Sequence, residues 1–236
     1  MYIDPAFEKV LVFDKKFKAP EEVVKDQTFR DKLEKYREEA TGGVGNWKIN
    51  EIGVIRGQTN MEALYYFELG NIHLSNQQWQ DALINFQTAL QKGMDNSITH
   101  FNIGQAYHQL GDYKQAIKHL DYAVKMKNDE SAYYYLLGRS YFLCGDYENA
   151  AANFRMELKH APKDVQTMYD LGVSYNNAGR DALVKRDYDK ALFFYAEAEH
   201  VLRAAIRAGP NEYSENAVIL LKNAQEKKAE IEKLAK

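Results

Sequence analysis

The sequence predicts an all-α fold built as a stack of helix-turn-helix hairpins. Three observations predict it. Four segments read alike, LYYFELGNIH, THFNIGQAYH, AYYYLLGRSY and QTMYDLGVSY, and their glycines, Gly70, Gly104, Gly138 and Gly172, fall 34 residues apart. An alanine follows twelve residues after each of the first three (Ala82, Ala116, Ala150), and a bulky residue four further on (Phe86, Leu120, Phe154). Proline and glycine are scarce, 4 and 14 in 236 residues, which argues against disorder and against a strand-rich fold full of turns.

Each element has a physical reason. A fixed period of this length marks a repeat whose single unit cannot bury its own apolar face, so neighbours must stack on it. Small residues at the glycine and alanine positions let two antiparallel helices approach closely, and the bulky residues fill the space beside them. Gly111-Asp112 and Gly145-Asp146 break the chain between helices, and Pro162 closes the third unit. The fourth unit is longer. Ala191 stands nineteen residues after Gly172, and Pro210 nineteen after Ala191, where the third unit has twelve and twelve. Each helix therefore gains seven residues, about two turns or roughly 10 Å, and a hairpin is expected to project near Gly179–Asp187.

This pattern resembles the tetratricopeptide repeat (TPR) family, W-x2-L-G-x2-Y, then A-x3-F, then P. The resemblance covers about residues 61–210. Tyr66, His100, Tyr134 and Met168 stand at its Trp position, His73 replaces a Tyr, and Glu157 occupies a place usually held by a small residue. The resemblance implies a right-handed superhelix of four repeats, the fourth lengthened: 61–96, 97–130, 131–164 and 165–210. Residues 211–236 are expected to form a capping helix, with Ala217, Leu220, Leu221, Ala224, Ile231 and Leu234 as its apolar stripe. Residues 1–60 do not fit the repeat. They read as an N-terminal extension, with a charged helix from Pro20 to about Ala40, a break at Gly42–Gly45 and an extended stretch around Trp47 and Ile49, packed on the repeats.

Composition bounds the function. The net charge is −3 and the isoelectric point about 6.1, and Lys and Glu are mixed along the helices, so neither nucleic acid nor an anionic membrane is an expected partner. No apolar run is long enough to span a membrane, and the first residues lack a secretory pattern. One cysteine, Cys144, excludes an intramolecular disulfide. A cytoplasmic protein is expected, or a periplasmic one if a leader has been trimmed.

Motifs for chemistry are missing. Gly42-Gly43-Val44-Gly45 lacks the Lys-Ser/Thr of a phosphate-binding loop. His73, His100, His108, His119, His160 and His200 show no zinc-ligand spacing, and Cys144 has no assignable base. No enzyme activity, no metal and no cofactor is expected.

The resemblance implies instead a concave groove lined by the first helix of each repeat. Three residues before each glycine stand Phe67, Phe101, Tyr135 and Tyr169; one after, Asn71, Gln105, Arg139 and Val173; four after, Leu74, His108, Phe142 and Asn176. These offsets put each trio on one helical face. The expected ligand is an apolar-containing peptide or helix of another protein, with Arg139 able to pair a carboxylate. Some members bind chaperone tails through a clamp of basic residues; here Phe67, Ala132 and Leu136 hold clamp-basic positions and Asn71 alone fits, which argues against that ligand. The alternative is a structural or assembly subunit docked through the N-terminal arm or the long fourth hairpin, with self-association also open.

Overall fold

The computed structural model describes residues 54–55, 58–59 and 61–234. The expected N-terminal helix, the break at 42–45 and the packing of Trp47 lie outside them. Two minimal strands, β1 (Val54–Ile55) and β2 (Gln58–Thr59), pair antiparallel in the register Val54 with Thr59 and Ile55 with Gln58. The remaining described elements are helices: α1 (Met61–Ser75), α2 (Trp79–Gln91), α3 (Ser97–Gln109), α4 (Tyr113–Met126), α5 (Ser131–Leu143), α6 (Tyr147–His160), α7 (Val165–Val184), α8 (Tyr188–Arg207) and α9 (Glu212–Leu234).

The turns explain where the helices begin. Asp112, Asp146 and Asp187 each accept a hydrogen bond from the amide three residues on, capping α4, α6 and α8, and each is followed by a Tyr that opens the helix. The residue before each cap is left-handed. Gly111 (φ +79°) and Gly145 (φ +80°) adopt that conformation freely, whereas Gln77 and Arg186 hold it at φ 60° against the clash of their own Cβ. Asn211 and Ser214 cap α9 reciprocally, each side-chain oxygen accepting from the other's amide at 2.9 Å.

The chain divides into two compact units, Met1–Asn128 and Asp129–Lys236. In the first, α1 packs on α2, α2 on α3 and α3 on α4. In the second, α5 packs on α6, α6 on α7, α7 on α8, and α9 lies against both α7 and α8. The repeat residues form the contact of each helix pair. A Cβ on Gly70 would stand 2.6 Å from the Phe86 ring, on Gly104 2.6 Å from Leu120, and on Gly138 2.9 Å from Phe154. Ala82, Phe86, Ala116, Leu120, Ala150 and Phe154 are fully buried.

The lengthened pair corrects one part of the sequence reading. α7 and α8 have 20 residues each, against 13 and 14 for α5 and α6, as the added turns require. The counterpart of Ala150 is not Ala191 but Ala198, because Gly172 faces Leu202, whose side chain would lie 2.5 Å from an added Cβ. Tyr195 faces Gly179 instead, and Ala191 is buried in the same cluster. The insertion thus repeats the small-residue contact seven residues nearer the turn on both helices, two helical turns on, where the same faces meet again.

Buried polar groups mark the helix joins. Glu157, at its unusual position, is buried on α6, and burial pushes its carboxyl above the ordinary range despite the hydroxyl of Thr167. On α8, Glu199 ties α9 down: it accepts from Gln225 at 3.0 Å, pairs with Arg203 at 2.8 Å and faces Lys228 at 3.7 Å. The Gln225 and Arg203 hydrogen bonds hold its carboxyl below the usual range.

One pair escaped the sequence reading, which gives His100 only as a stand-in at the family's Trp position. His100 on α3 and His119 on α4 meet with their Nδ1 atoms 3.0 Å apart, and His100 Nε2 lies 3.1 Å from Asp95 Oδ1. With Asp95 ionised, the His100 Nε2–H donates to it, so His100 Nδ1 accepts from the His119 Nδ1–H. Tyr122 stacks on His100 and Tyr107 on His119. Burial, the neighbouring His100 and Lys118 pull His119 from 6.5 to about 4. Between pH 6.5 and about 4 the unfolded chain therefore takes up a proton that the folded chain refuses, so stability falls as pH falls through that window. Discounted for a ring only half-buried, the loss is about 2 kcal/mol. His119→Asn, which keeps a donor towards His100, should show a shallower loss of melting temperature between pH 7 and pH 4.5. Parallel pH profiles would refute the assignment.

Candidate binding face

The expected groove residues sit on the first helix of each pair, α1, α3, α5 and α7, and the structure differentiates among them. Phe67 is a core residue, 3% exposed, its ring tilted against Phe86 at 5.7 Å. Asn71, Leu74, Phe101, Gln105, His108, Tyr135, Arg139, Phe142, Tyr169 and Asn176 are all half-buried. That intermediate state suits a contact surface: each side chain is held by its neighbours yet keeps an accessible side.

In the first unit, α1 and α3 are joined across this face. Asn102 Nδ2 donates to Asn71 Oδ1 at 2.9 Å, and Asn71 Nδ2 donates to Glu68 Oε1 at 3.3 Å. Glu68 and Asn102 are buried, so the row orients the Asn71 amide from below. His108 stands edge-on to Tyr113, 5.5 Å away.

In the second unit, α5 and α7 are joined the same way. Tyr135 Oη donates to Asp170 Oδ2 at 3.2 Å and accepts from Gln166 Nε2, while Arg139 Nη1 lies 3.7 Å from Asp170 Oδ2. Burial raises the Asp170 carboxyl above its ordinary range although Arg139 and Tyr135 both favour its charge. Burial beside that carboxylate pushes the Tyr135 phenol up to about 12. Arg139, expected to be able to pair a ligand carboxylate, lies near an internal one. Phe142 stacks edge-on to Tyr147 and Tyr169 tilts against Tyr213 of α9.

Asn102, Asp170, Gln166 and Glu68 were missed. Three of them share one position, two residues before the glycine, which reads Glu68, Asn102, Leu136, Asp170. A polar residue there in three copies out of four, on a helix otherwise packed on both sides, was the available signal. Among the described residues no three His, Cys, Asp or Glu side chains gather as a metal site, and no helix is long and apolar enough to cross a membrane.

Paired antiparallel helices with this period and these glycine contacts define the all-α helix-turn-helix repeat class. The sequence profile described as tetratricopeptide repeat matches residues 67–131 and again 101–165. Residues 67–165 thus match tetratricopeptide repeats. Solved structures share its fold. YrrB, described as a TPR protein with an unusual peptide-binding site, is 20% identical, with a TM-score of 0.55 over 84% of this chain and 89% of that one. MamA is 21% identical, with a TM-score of 0.50 over 73% of this chain and 94% of its own. A MamA fragment from Desulfovibrio magneticus RS-1 is 18% identical, with a TM-score of 0.50 over 74% and 95%. At these identities the likeness is one of fold. No curated protein matches the sequence.

Proposed function

We propose that this chain is a non-enzymatic interaction scaffold that binds partner-protein segments on the α1/α3 face of one unit and on the α5/α7 face of the other. The observation that carries this reading is the pair of hydrogen-bonded rows, Asn102–Asn71–Glu68 in one unit and Gln166–Tyr135–Asp170 in the other, each beside half-buried aromatic rings. Side chains already fixed by their neighbours lose little freedom when a ligand docks, and aromatic rings supply contact area at low entropic cost. That a fold neighbour is described as having a peptide-binding site supports the same reading.

A bound segment carries apolar side chains to meet Phe101 in the first unit, or Tyr135 and Phe142 in the second. Replacing Phe101 and Tyr135 by alanine should weaken partner capture at least tenfold, as loss of two anchors of roughly 1–2 kcal/mol each implies, while circular dichroism shows the helices retained. Undiminished capture would sink the reading. A second reading has its own observation: Val184, Tyr188 and Phe193 are exposed on the lengthened α7/α8 pair. A partner lost with Val184→Ser/Phe193→Ser but kept by the first variant would make the chain a subunit docked through that hairpin.

A further inference from the structure

In the second unit a cleft of about 610 Å³ lies between α7 and α9, and its chemistry is specific. Arg180 and Lys227 contribute two cations, and no carboxylate lines it. Arg180 is exposed and has no ion-pair partner among the described residues. Lys227 Nζ contacts Glu230 Oε2 at 2.9 Å, a surface pair of the kind that exchanges easily for another carboxylate. Both cations act electrostatically on the Tyr195 hydroxyl, as does the Glu230 carboxylate that pairs with Lys227.

The floor adds two further demands. Asn176 Oδ1 is buried and accepts no hydrogen bond among the described residues, an unmet need that a ligand N–H can fill. Leu183, Leu220 and Ile219 supply an apolar wall, and Ile219 is 72% exposed although it stands on a helix otherwise packed by its stripe. Asn216 and Asn223 flank it on α9 with amides able to donate and accept.

We infer that the α7/α9 cleft takes an acidic peptide segment of another protein, with an Asp or Glu side chain between Arg180 and Lys227 and a neighbouring aliphatic side chain against Ile219 and Leu220. The inference rests on the reading above that the chain binds partner segments, and it names the chemistry of one such segment. Opposite charge steers the encounter and fixes polarity, and the apolar wall supplies the burial that holds the complex. The Asn176 oxygen receives a backbone N–H of the bound segment.

The test is selection of random dodecapeptides by the full-length chain, followed by fluorescence anisotropy of the selected peptides. The expected result is enrichment of Asp and Glu next to Leu, Ile or Val. Affinity should fall at least tenfold on Arg180→Glu/Lys227→Glu, at least threefold on Ile219→Ser, and steeply as salt rises from 50 to 300 mM. Arg180 and Ile219 are exposed and Lys227 is half-buried at the surface, so the variants should keep their helical circular dichroism. Acidic peptides that ignore Phe101→Ala/Tyr135→Ala but require Arg180 and Lys227 uphold this inference while removing the wider face. Selected peptides without acidic enrichment, indifferent to the charge reversal but lost with Phe101→Ala/Tyr135→Ala, overturn it and leave the wider face standing. Failure of the chain to select any peptide overturns both. Concentration-dependent self-association abolished by Arg180→Glu also overturns it, by giving the cleft to a second copy.

Discussion

Phe154→Ala is expected to cost about 3–5 kcal/mol, the largest effect of any single truncation in the second unit. The ring is fully buried and makes two contacts that nothing else can make. One face fills the space that Gly138 leaves open, within 2.9 Å of where a Cβ would stand. The other meets Tyr135, ring centroids 5.9 Å apart. Truncation leaves a cavity between α5 and α6 that the helices cannot close, because Ala150 and Gly138 already bring them as near as backbone allows. Since a domain's whole stability is about 5–15 kcal/mol, thermal or urea melting should show the second unit unfolding far earlier. The same variant tests the binding face, because Tyr135 loses the ring it leans on. Phe154→Leu, which restores most of the volume, should recover most of the stability. A loss below 1 kcal/mol for the alanine variant would mean that the α5/α6 contact is looser than described.

Gly172→Ala should destabilise by about 2 kcal/mol, against the sign that helix propensity gives. In the interior of an exposed helix the change would gain about 1 kcal/mol. Here the new methyl would stand 2.5 Å from Leu202 Cδ2 and 2.7 Å from Cγ, and Leu202 is fully buried with no room to retreat. Overpacking of this severity costs about 3 kcal/mol, so the clash wins. Gly179 on the same helix supplies the control. Its added methyl would meet the Tyr195 ring at 3.1–3.2 Å, a displacement of a few tenths of an ångström, so propensity and strain should nearly cancel in Gly179→Ala. The two sites differ in the facing side chain and in how close it comes, and chemical denaturation of the two variants compares them directly. In the Leu202→Ala background the cost of Gly172→Ala should largely vanish, since the residues share one contact. Independence of the two substitutions would overturn the register drawn here for α7 and α8.

Much of this fold was legible in the linear chain, because its information is local. A hairpin of two helices joined by a short turn depends on residues within about 34 positions. The 34-residue spacing of Gly70, Gly104, Gly138 and Gly172, the alanines twelve later and the Gly-Asp breaks at 111–112 and 145–146 each announce a contact or a cap that the structure contains. The lengthening of the fourth pair was legible too, from two displaced landmarks. Its internal register was not. Ala191 and Ala198 are equally small, and the sequence cannot say which one faces Gly172, because a seven-residue shift returns a helix to nearly the same face. Only the contact with Leu202 decided it.

The site divides along the same line. Offsets of three, four and one from a glycine place Asn71, Gln105, Arg139 and their companions on one helical face, since the 3.6-residue period is a property of the chain alone. What each side chain meets on the next helix is not. Burial of Phe67 against Phe86, the Asn102–Asn71 and Tyr135–Asp170 bonds, the Arg139–Asp170 approach and the His100–His119 pair all join residues of different helices, 19 to 35 positions apart. They depend on interhelix distances of tenths of an ångström and on competition between desolvation and pairing, which no single helix contains. The sequence by itself determined the class of repeat and the face to inspect. The tertiary structure decided which residues of that face are core, which are tied to one another and which stay partly exposed, because burial and pairing are relations between helices rather than properties of any one of them.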